Sequence, residues 1–251
     1  MKDKTFGLNS YMYLLSIIKG GSKKIISFND AYIGKTGIIM RHDVDFCPLE
    51  ARKIAEMEAE VNIKSIFFFL VNSGLYDFDT LENIQAIKNI ISLGHDVGLH
   101  FDSTKYIDER SKLNLACENE CNILKSITDK HVSTVSFHRP SPKFLGMKDK
   151  IAGRIHSYMP LFFNKFSYCS DSQGDWMYDD PELLIKNSNI KNIQLLTHPI
   201  WWTTPENMSP GEKIEFHLKN KNKNKNFQSL VAKNCRPYKS YLELKEKNIA
   251  E

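Results

Sequence analysis

The sequence lacks paired cysteines. No two of them form a CxxC motif, and their odd number and irregular spacing argue against the disulfide framework of a small secreted domain. Cys117 and Cys121 lie four residues apart in a helix-like segment with no other metal ligand, so we expect them to pack in the interior. A chain of 251 residues is long enough to bury a core without disulfides. The five cysteines are Cys47, Cys117, Cys121, Cys169 and Cys235.

A long hydrophobic run is also absent. The apolar stretch at residues 11–18 is interrupted by Ser16, is too short to cross a bilayer and is not followed by a cleavage site of small residues. We interpret residues 1–35 as a helical lead-in, and we expect a cytoplasmic protein.

The main part of the chain lacks an excess of positive charge. The net charge is +4, but residues 218–251 hold nine Lys or Arg and three Glu, so the first 217 residues carry a net charge of −2. This distribution argues against a nucleic-acid groove in the body. We interpret residues 206–251, which include the run KNKNKNKN at 219–226, as a basic linker and tail that packs on or near the main domain. The tail is either a solvated surface or a contact for a membrane or a lipid-linked substrate.

Strand and helix patterns alternate along the rest of the chain. Apolar runs with strand character occur at residues 35–44, 63–71, 95–100, 132–137 and 192–198. Helical patterns follow at 49–61, after Pro48, at 80–91, between a Thr80 cap and the Gly94 stop, and at 107–127. Buried strands separated by helices predict an α/β fold with a parallel sheet covered on both faces.

Polar motifs stand where these strands end. In chain order they are RHDVD, GLHFD, FHRP, SDSQGDW and LLTHP. Parallel α/β folds place their chemistry at the carboxyl ends of the strands. The repeated placement therefore favours an enzyme over a structural protein.

The first two motifs contain candidate metal ligands. Asp43 and Asp45 are two residues apart on a strand, so both carboxylates face the same side, where they repel unless a cation or a proton lies between them. The functional interpretation is one metal ligand and one general base, and the structural alternative is a strand-end turn with a helix cap. His100 and Asp102 add an imidazole and a carboxylate, a combination that suits zinc.

The later motifs add further candidates. His138 is a candidate ligand or substrate contact, and Arg139 is a candidate partner for a carboxylate. Trp176 is a candidate wall for a sugar, with a buried structural Trp as the alternative. His198 ends a strand beside Trp201, where an imidazole is suited to general acid catalysis.

The order of these motifs resembles the polysaccharide deacetylase, or NodB-homology, superfamily, to which carbohydrate esterase family 4 belongs. The similarity is greatest to variants with an Asp-Val-Asp first motif from bacterial surface-polysaccharide loci. The resemblance implies a distorted (β/α) barrel of about seven parallel strands over residues 36–205. It also implies removal of an acetyl group from an N-acetylated sugar with a bound divalent metal, expected to be Zn²⁺, with Co²⁺, Mn²⁺ or Ni²⁺ as alternatives.

The resemblance also implies catalytic roles. It makes Asp43 the general base, Arg139 the arginine that holds this base, and His198 the acid that protonates the leaving amine. The residues expected to bind substrate are His138, Asp171 and Trp176 with Trp201, and Asp175 is the alternative to Asp171.

The metal ligands follow the family less closely. Asp45 and His100 match family ligands, but Thr104 stands where a second histidine is expected, four residues after the first. Asp102, His138 or a water remains to complete the set, and Asp102 is our prediction.

The predicted function is the deacetylation of a sugar in a surface polysaccharide or its precursor, without a nucleic-acid partner. Because one family histidine is missing, a carbohydrate-binding barrel that has lost catalysis is one alternative. A hydrolase of another non-peptide C–N bond is the other.

Overall fold

A computed structural model describes residues 5–72, 74–106, 109–219 and 225–249. Its seven strands include the five expected from the sequence and two more, which are the fifth and sixth in chain order. They are β1 (Ile38–Val44), β2 (Ile66–Leu70), β3 (Asp96–Phe101), β4 (Thr134–Phe137), β5 (Ile155–His156), β6 (Ser167–Ser170) and β7 (Ile193–Thr197).

All seven strands belong to one parallel sheet with the order β5-β4-β3-β2-β1-β7-β6. The sheet curls into a barrel, and no pairing between the terminal strands β5 and β6 closes it within the described residues. The prediction of a distorted (β/α) barrel with about seven parallel strands is confirmed.

Helices cover the outside of the sheet and follow its last strand. Those of the barrel are α1 (Leu8–Gly20), α2 (Phe28–Tyr32), α3 (Pro48–Glu60), α4 (Leu81–Ser92), α5 (Arg110–Thr128), α6 (Pro160–Asn164), α7 (Pro181–Lys186) and α8 (Pro199–Trp202). Those after it are α9 (Pro210–Lys219), α10 (Lys225–Asn234) and α11 (Arg236–Ile249). No helix in the described part of the chain has both the length and the apolar character that a membrane span requires.

Local sequence signals explain several helix ends. Pro48 occupies the first turn of α3, where its missing N–H costs nothing. The Thr80 hydroxyl accepts a hydrogen bond from the Asn83 N–H and caps α4, as predicted, and Gly94 follows that helix with a φ of 90°. The helix predicted from residue 107 begins at Arg110, and residues 107–108 lie outside the described ranges.

The alternation of side chains on β1 separates two environments. Every residue of this strand is buried. Ile39 belongs to an apolar cluster on the inner face of the barrel, and Arg41 and Asp43 line a cleft above it. Met40 and His42 point to the opposite side, towards the covering helices. One strand therefore supplies polar groups both to the barrel interior and to the layer beneath the helices.

The chain after the barrel folds into helices that contact it. The sequence pattern weakens after Trp202, yet α9 and α10 form there, on either side of residues 220–224, which are outside the described ranges. Lys213 on α9 is 3% exposed and donates hydrogen bonds to the carbonyls of Phe6 and Trp201. The domain boundaries at residues 35/36 and 205/206 remain predictions.

All five cysteines are free and buried.

Candidate functional site

Five strand ends bring the polar motifs to one edge of the barrel. Asp45 follows β1, His100 lies near the end of β3, and His138 follows β4. Asp171 and His198 follow the adjacent strands β6 and β7. Because all the strands are parallel, their carboxyl ends share this edge, and side chains that are far apart in the sequence gather there.

A group of three potential metal ligands lies at the centre of this edge. One donor atom each from Asp45, His100 and His138 can be chosen so that all three lie within 4.8 Å of one another. The His100 Nε2 atom lies 3.2 Å from Asp45 Oδ1, and the two imidazole ring centroids are 5.2 Å apart. One carboxylate and two imidazoles form the donor set of many catalytic zinc sites.

The state of these three side chains fits a divalent cation. The His100 Nδ1 atom lies 3.3 Å from the Ser136 carbonyl, and with a metal bound, a hydrogen bond there would leave the Nε2 lone pair to coordinate it in place of the hydrogen bond to Asp45. His138 Nδ1 is buried and has no hydrogen-bond partner in the described structure. Burial lowers the pKa of His138 to about 4, so its ring is neutral near pH 7, as a ligand must be. Burial would raise the pKa of Asp45, but the hydrogen bond from His100 and the nearby histidines hold it well below its usual range.

Asp43 lies beside this group and is held by Arg41. The guanidinium donates to both carboxylate oxygens, with Nη2–Oδ2 and Nε–Oδ1 distances of 2.6 Å and 3.2 Å. It also donates to Gln194 and Ser136, so Arg41 is fixed from three strands. Burial would raise the pKa of Asp43, but the charges of Arg41 and His100 lower it overall, and the carboxylate is ionised at neutral pH. His100 Nε2 lies 3.7 Å from Asp43 Oδ2.

His198 forms the opposite side of the site and is oriented by Asp171. The fully buried Asp171 carboxylate accepts hydrogen bonds from His198 Nδ1 at 2.6 Å, from the His198 backbone N–H, and from Trp202 Nε1 at 2.7 Å. Burial lowers the pKa of His198, but Asp171 and the other nearby carboxylates raise it to about 9. The imidazolium is therefore the main form at pH 7, and its Nε2 lies 3.9 Å from Asp45 Oδ2.

Asp43, Asp45 and the three histidines line one cleft of about 810 Å³. This volume lies within the range typical of small-molecule sites, and its lining is largely apolar with a few convergent polar groups. The barrel supplies most of the wall, and the α10–α11 junction completes it with Asn234, Cys235, Arg236 and Pro237. The tail is therefore part of the candidate site.

Two residues predicted for the site have other partners. Asp102 accepts hydrogen bonds from the Thr104 hydroxyl and N–H and lies 3.3 Å from Arg139, and it is not part of the three-residue group. Arg139 lines the cleft but binds Asp102, whereas Asp43 is held by Arg41. In the described structure, His138 rather than Asp102 groups with Asp45 and His100, and Arg41 rather than Arg139 pairs with Asp43.

The predicted substrate contacts divide in the same way. Trp201 lines the cleft, is 3% exposed and has an indole N–H without a partner in the described structure. Trp176 packs against Phe6 and Trp202 and is not among the lining residues. Asp171 lies behind His198 rather than in the cleft wall, because its oxygens are occupied by that histidine and Trp202.

Arg41 is the functional residue that sequence reasoning missed. Its signal was present, since it stands two residues before Asp43 and therefore on the same strand face. Gln194 on β7 and Ser136 on β4, which fix its guanidinium, carry no comparable signal. They reach Arg41 only through the pairing and curvature of the sheet.

No family model matches the chain, and no curated protein sequence matches it. Several solved structures match it in fold. A Streptococcus pyogenes deacetylase, solved in complex with acetate, has a TM-score of 0.47 at 12% identity, covering 84% of this chain and 87% of its own. A family 4 carbohydrate esterase from Bacillus anthracis has a TM-score of 0.44 at 14% identity, covering 88% and 91%. A family 4 pseudoenzyme from the same organism has a TM-score of 0.44 at 15% identity, covering 74% and 60%.

These three neighbours are a deacetylase, a family 4 carbohydrate esterase and a family 4 pseudoenzyme. The Asp-Val-Asp variant of surface-polysaccharide loci stays a prediction.

Proposed function

We propose that this protein is a metal-dependent hydrolase that removes the acetyl group from the nitrogen of an N-acetylated sugar. The observation that carries the proposal is the convergence of Asp45, His100 and His138 between an ionised Asp43 and a protonated His198 in one cleft. A cation site flanked by a base and an acid is what hydrolysis of an amide needs. The sugar is proposed from the motif order, which resembles the polysaccharide deacetylases.

Asp45, His100 and His138 would hold the cation, proposed to be Zn²⁺, with Co²⁺, Mn²⁺ or Ni²⁺ as alternatives. When bound, such a cation polarises the acyl oxygen and makes water more acidic. Asp43 accepts the proton of the attacking water, and its bidentate pair with Arg41 keeps the carboxylate ionised and fixed.

His198 donates a proton to the departing nitrogen. Asp171 keeps the ring protonated through the hydrogen bond to Nδ1, so the proton on Nε2 faces the cleft. Trp202 Nε1 and the His198 backbone N–H in turn donate hydrogen bonds to Asp171, so the carboxylate that orients His198 is itself fixed in position. This arrangement gives the departing amine the proton without which it is a poor leaving group.

An acetate-release assay tests the proposal. Purified protein loaded with Zn²⁺ or Co²⁺ is expected to release acetate from N-acetylated sugars, to lose this activity with a chelator and to regain it when the metal is returned. Acetate release that is insensitive to chelation would contradict the metal dependence. Faster hydrolysis of simple acyclic amides than of acetylated sugars would move the assignment to another class of C–N hydrolase.

A carbohydrate-binding barrel without catalysis is the second candidate, and one observation favours it. Thr104 replaces the expected histidine, and its hydroxyl binds Asp102 2.7 Å away. His138 nevertheless provides a third donor, so we retain the enzyme. Stoichiometric metal binding together with sugar binding, and without hydrolysis of any acetylated sugar, would support the binding barrel instead.

A further inference from the structure

The charged residues that line the cleft do not balance. They are Arg41, Asp43, Asp45, Arg139 and Arg236. Arg41 and Asp43 neutralise each other through their bidentate pair, and Asp45 faces the proposed cation. Arg139 and Arg236 then remain without a carboxylate among the lining residues. Two guanidinium groups in the lining without a carboxylate beside them there favour a substrate with an anionic group.

Arg236 is the less expected of these two arginines. It is exposed, it is the first residue of α11, and it has no ion-pair partner in the described structure. A helix N-terminus carries a partial positive charge, so a cation in the first turn is placed unfavourably. A residue that breaks this rule at the wall of a cleft is more consistent with ligand binding than with helix stability.

Arg139 lines the same cleft, and only part of its hydrogen-bonding capacity is used by another residue. Its side chain is 42% exposed, and Nη2 lies 3.3 Å from the Asp102 carboxylate. A guanidinium has five N–H donors, so most of them stay available. Its backbone has a φ of 49°, an uncommon conformation for a residue with a side chain, directly after the ligand His138.

The wall of the cleft also includes exposed apolar side chains. Leu145, Phe163 and Tyr178 line it and are 39%, 48% and 79% exposed. A ligand that spans this cleft therefore meets guanidinium groups and aromatic or aliphatic surface outside the site of hydrolysis. A sugar joined through phosphate to a larger apolar or aromatic group has this combination of properties.

We infer that Arg236, together with Arg139, binds a phosphate group of the substrate, so that the acetylated sugar is presented as a phosphate ester or diphosphate. The inference rests on the proposed function for the position of the acetyl group. Arginine forks match phosphate oxygens bidentately. Nucleoside diphosphates and lipid diphosphates share this chemistry.

Binding measured by calorimetry on the zinc-loaded full chain tests the subsite without relying on turnover. The probes are N-acetylglucosamine and its uridine diphosphate ester. Arg236→Glu is compared with Lys233→Glu, which makes the same change in net charge on an exposed residue outside the cleft. Arg236→Gln is a second variant, and melting temperatures verify the fold.

The wild type is expected to bind the diphosphate ester at least about tenfold more tightly than the neutral sugar, a gain typical of a charged hydrogen bond. Arg236→Glu and Arg236→Gln should lose most of this gain, and Lys233→Glu should keep it. Equal affinity for the two probes, or equal losses from both charge reversals, would overturn the subsite. Hydrolysis of the neutral sugar is scored separately, so a wrong subsite and a wrong reaction give different results.

The source of the phosphate is resolved by two further arms. Uridine diphosphate alone competes for the subsite if the substrate is a nucleotide sugar. Phosphatidylcholine vesicles carrying a polyprenyl-diphosphate N-acetylglucosamine compete if it is lipid-linked. Wherever competition occurs, it must weaken in Arg236→Glu, and competition that is unchanged in this variant, or that is absent from both arms, would also overturn the inference.

Discussion

Strand β1 supplies two clusters of charged and imidazole groups, one on each face, and they differ in one respect. On the inner face, Arg41 and Asp43 lead to the cleft, where His138 Nδ1 and Trp201 Nε1 are buried without a partner in the described structure. On the outer face, His42 joins a sealed cluster around Glu58. The inner cluster has buried polar atoms that are free to bind a ligand, whereas the polar atoms of the outer cluster form hydrogen bonds with one another.

The sealed cluster satisfies the Glu58 carboxylate completely. Glu58 is 0% exposed and accepts hydrogen bonds from Tyr11 OH at 2.6 Å and from Ser65 Oγ at 2.8 Å, while His42 Nε2 lies 3.0 Å away. His95 closes the far side, with Nδ1 3.7 Å from the carboxylate. Burial would raise the pKa of Glu58, but His42 and its other partners lower it. The cluster thus ties α1, α3 and the sheet together.

The comparison teaches that residue type does not separate a site from a structural network. Both clusters contain carboxylates and histidines, and both are buried. What distinguishes them is unused hydrogen-bonding capacity beside a cavity, because a buried polar atom without a partner is costly unless a ligand uses it. If this distinction is right, substitutions in the inner cluster impair catalysis, and substitutions in the outer cluster impair stability.

The largest expected effect is on the rate of hydrolysis. Asp43→Asn should lower acetate release by roughly 10²–10⁴-fold, because the amide cannot accept the proton of the attacking water. Asp129→Asn is the matched control, since Asp129 is exposed and its left-handed conformation at the end of α5 suits Asn. Turnover of Asp43→Asn at the wild-type rate would remove Asp43 from the mechanism.

A substitution in the sealed cluster is expected to have an effect of similar size, but on the free energy of unfolding rather than on the rate. Glu58→Gln should lower the free energy of unfolding by about 3–5 kcal/mol, because its amide nitrogen donates where Tyr11, Ser65 and His42 also need an acceptor. Denaturant unfolding measures this, with the exposed Glu60→Gln as control, expected within about 0.5 kcal/mol of wild type. Acetate release per folded molecule should stay unchanged. A folded, stable Glu58→Gln protein without activity would break the distinction between the clusters.

A smaller effect on rate is expected from Asp171→Asn, about 10²-fold in kcat, the lower end of general acid–base catalysis. The pKa of His198 is raised to about 9, so the acid is present below that pH and is lost as pH rises through it. The variant loses the main cause that raises this pKa, so the alkaline limb of the pH–rate profile should move to lower pH. The exposed Asp179→Asn should leave the limb in place. An unmoved limb in Asp171→Asn would mean that Asp171 does not set the protonation of His198.

Local sequence patterns were sufficient for five of the seven strands and for the principal strand-end residues, whereas the barrel was implied by the resemblance of the motif order. The apolar runs, Pro48 and the Thr80 cap predicted strands and helices that the structure contains. The spacing of Asp43 and Asp45 predicted a shared face, and both lie in the cleft. These features depend on the two-residue alternation of side chains along a strand and on the positions of strands and helices, which local sequence specifies.

The rest depends on tertiary geometry. His138 rather than Asp102 joins the three-donor group, and the Asp102 carboxylate is instead held by Thr104 and Arg139, which no local pattern specifies. Helix α9 buries Ile214 and Leu218 on one face, and it is also anchored through the buried Lys213, whose partners Phe6 and Trp201 lie elsewhere in the chain. The contact of Arg236 with the cleft requires two further helices to pack against the barrel, so a basic tail alone did not predict it.

The central claim is that Asp45, His100 and His138 hold one divalent cation. Titration of the purified protein with Co²⁺, followed by ligand-field absorption and calorimetry, measures it most directly. The account predicts one tightly bound equivalent in the wild type and in Asp102→Asn, and affinity lowered by at least about tenfold in His138→Gln. Retained affinity in His138→Gln with loss in Asp102→Asn, or no stoichiometric binding in the wild type, would contradict it.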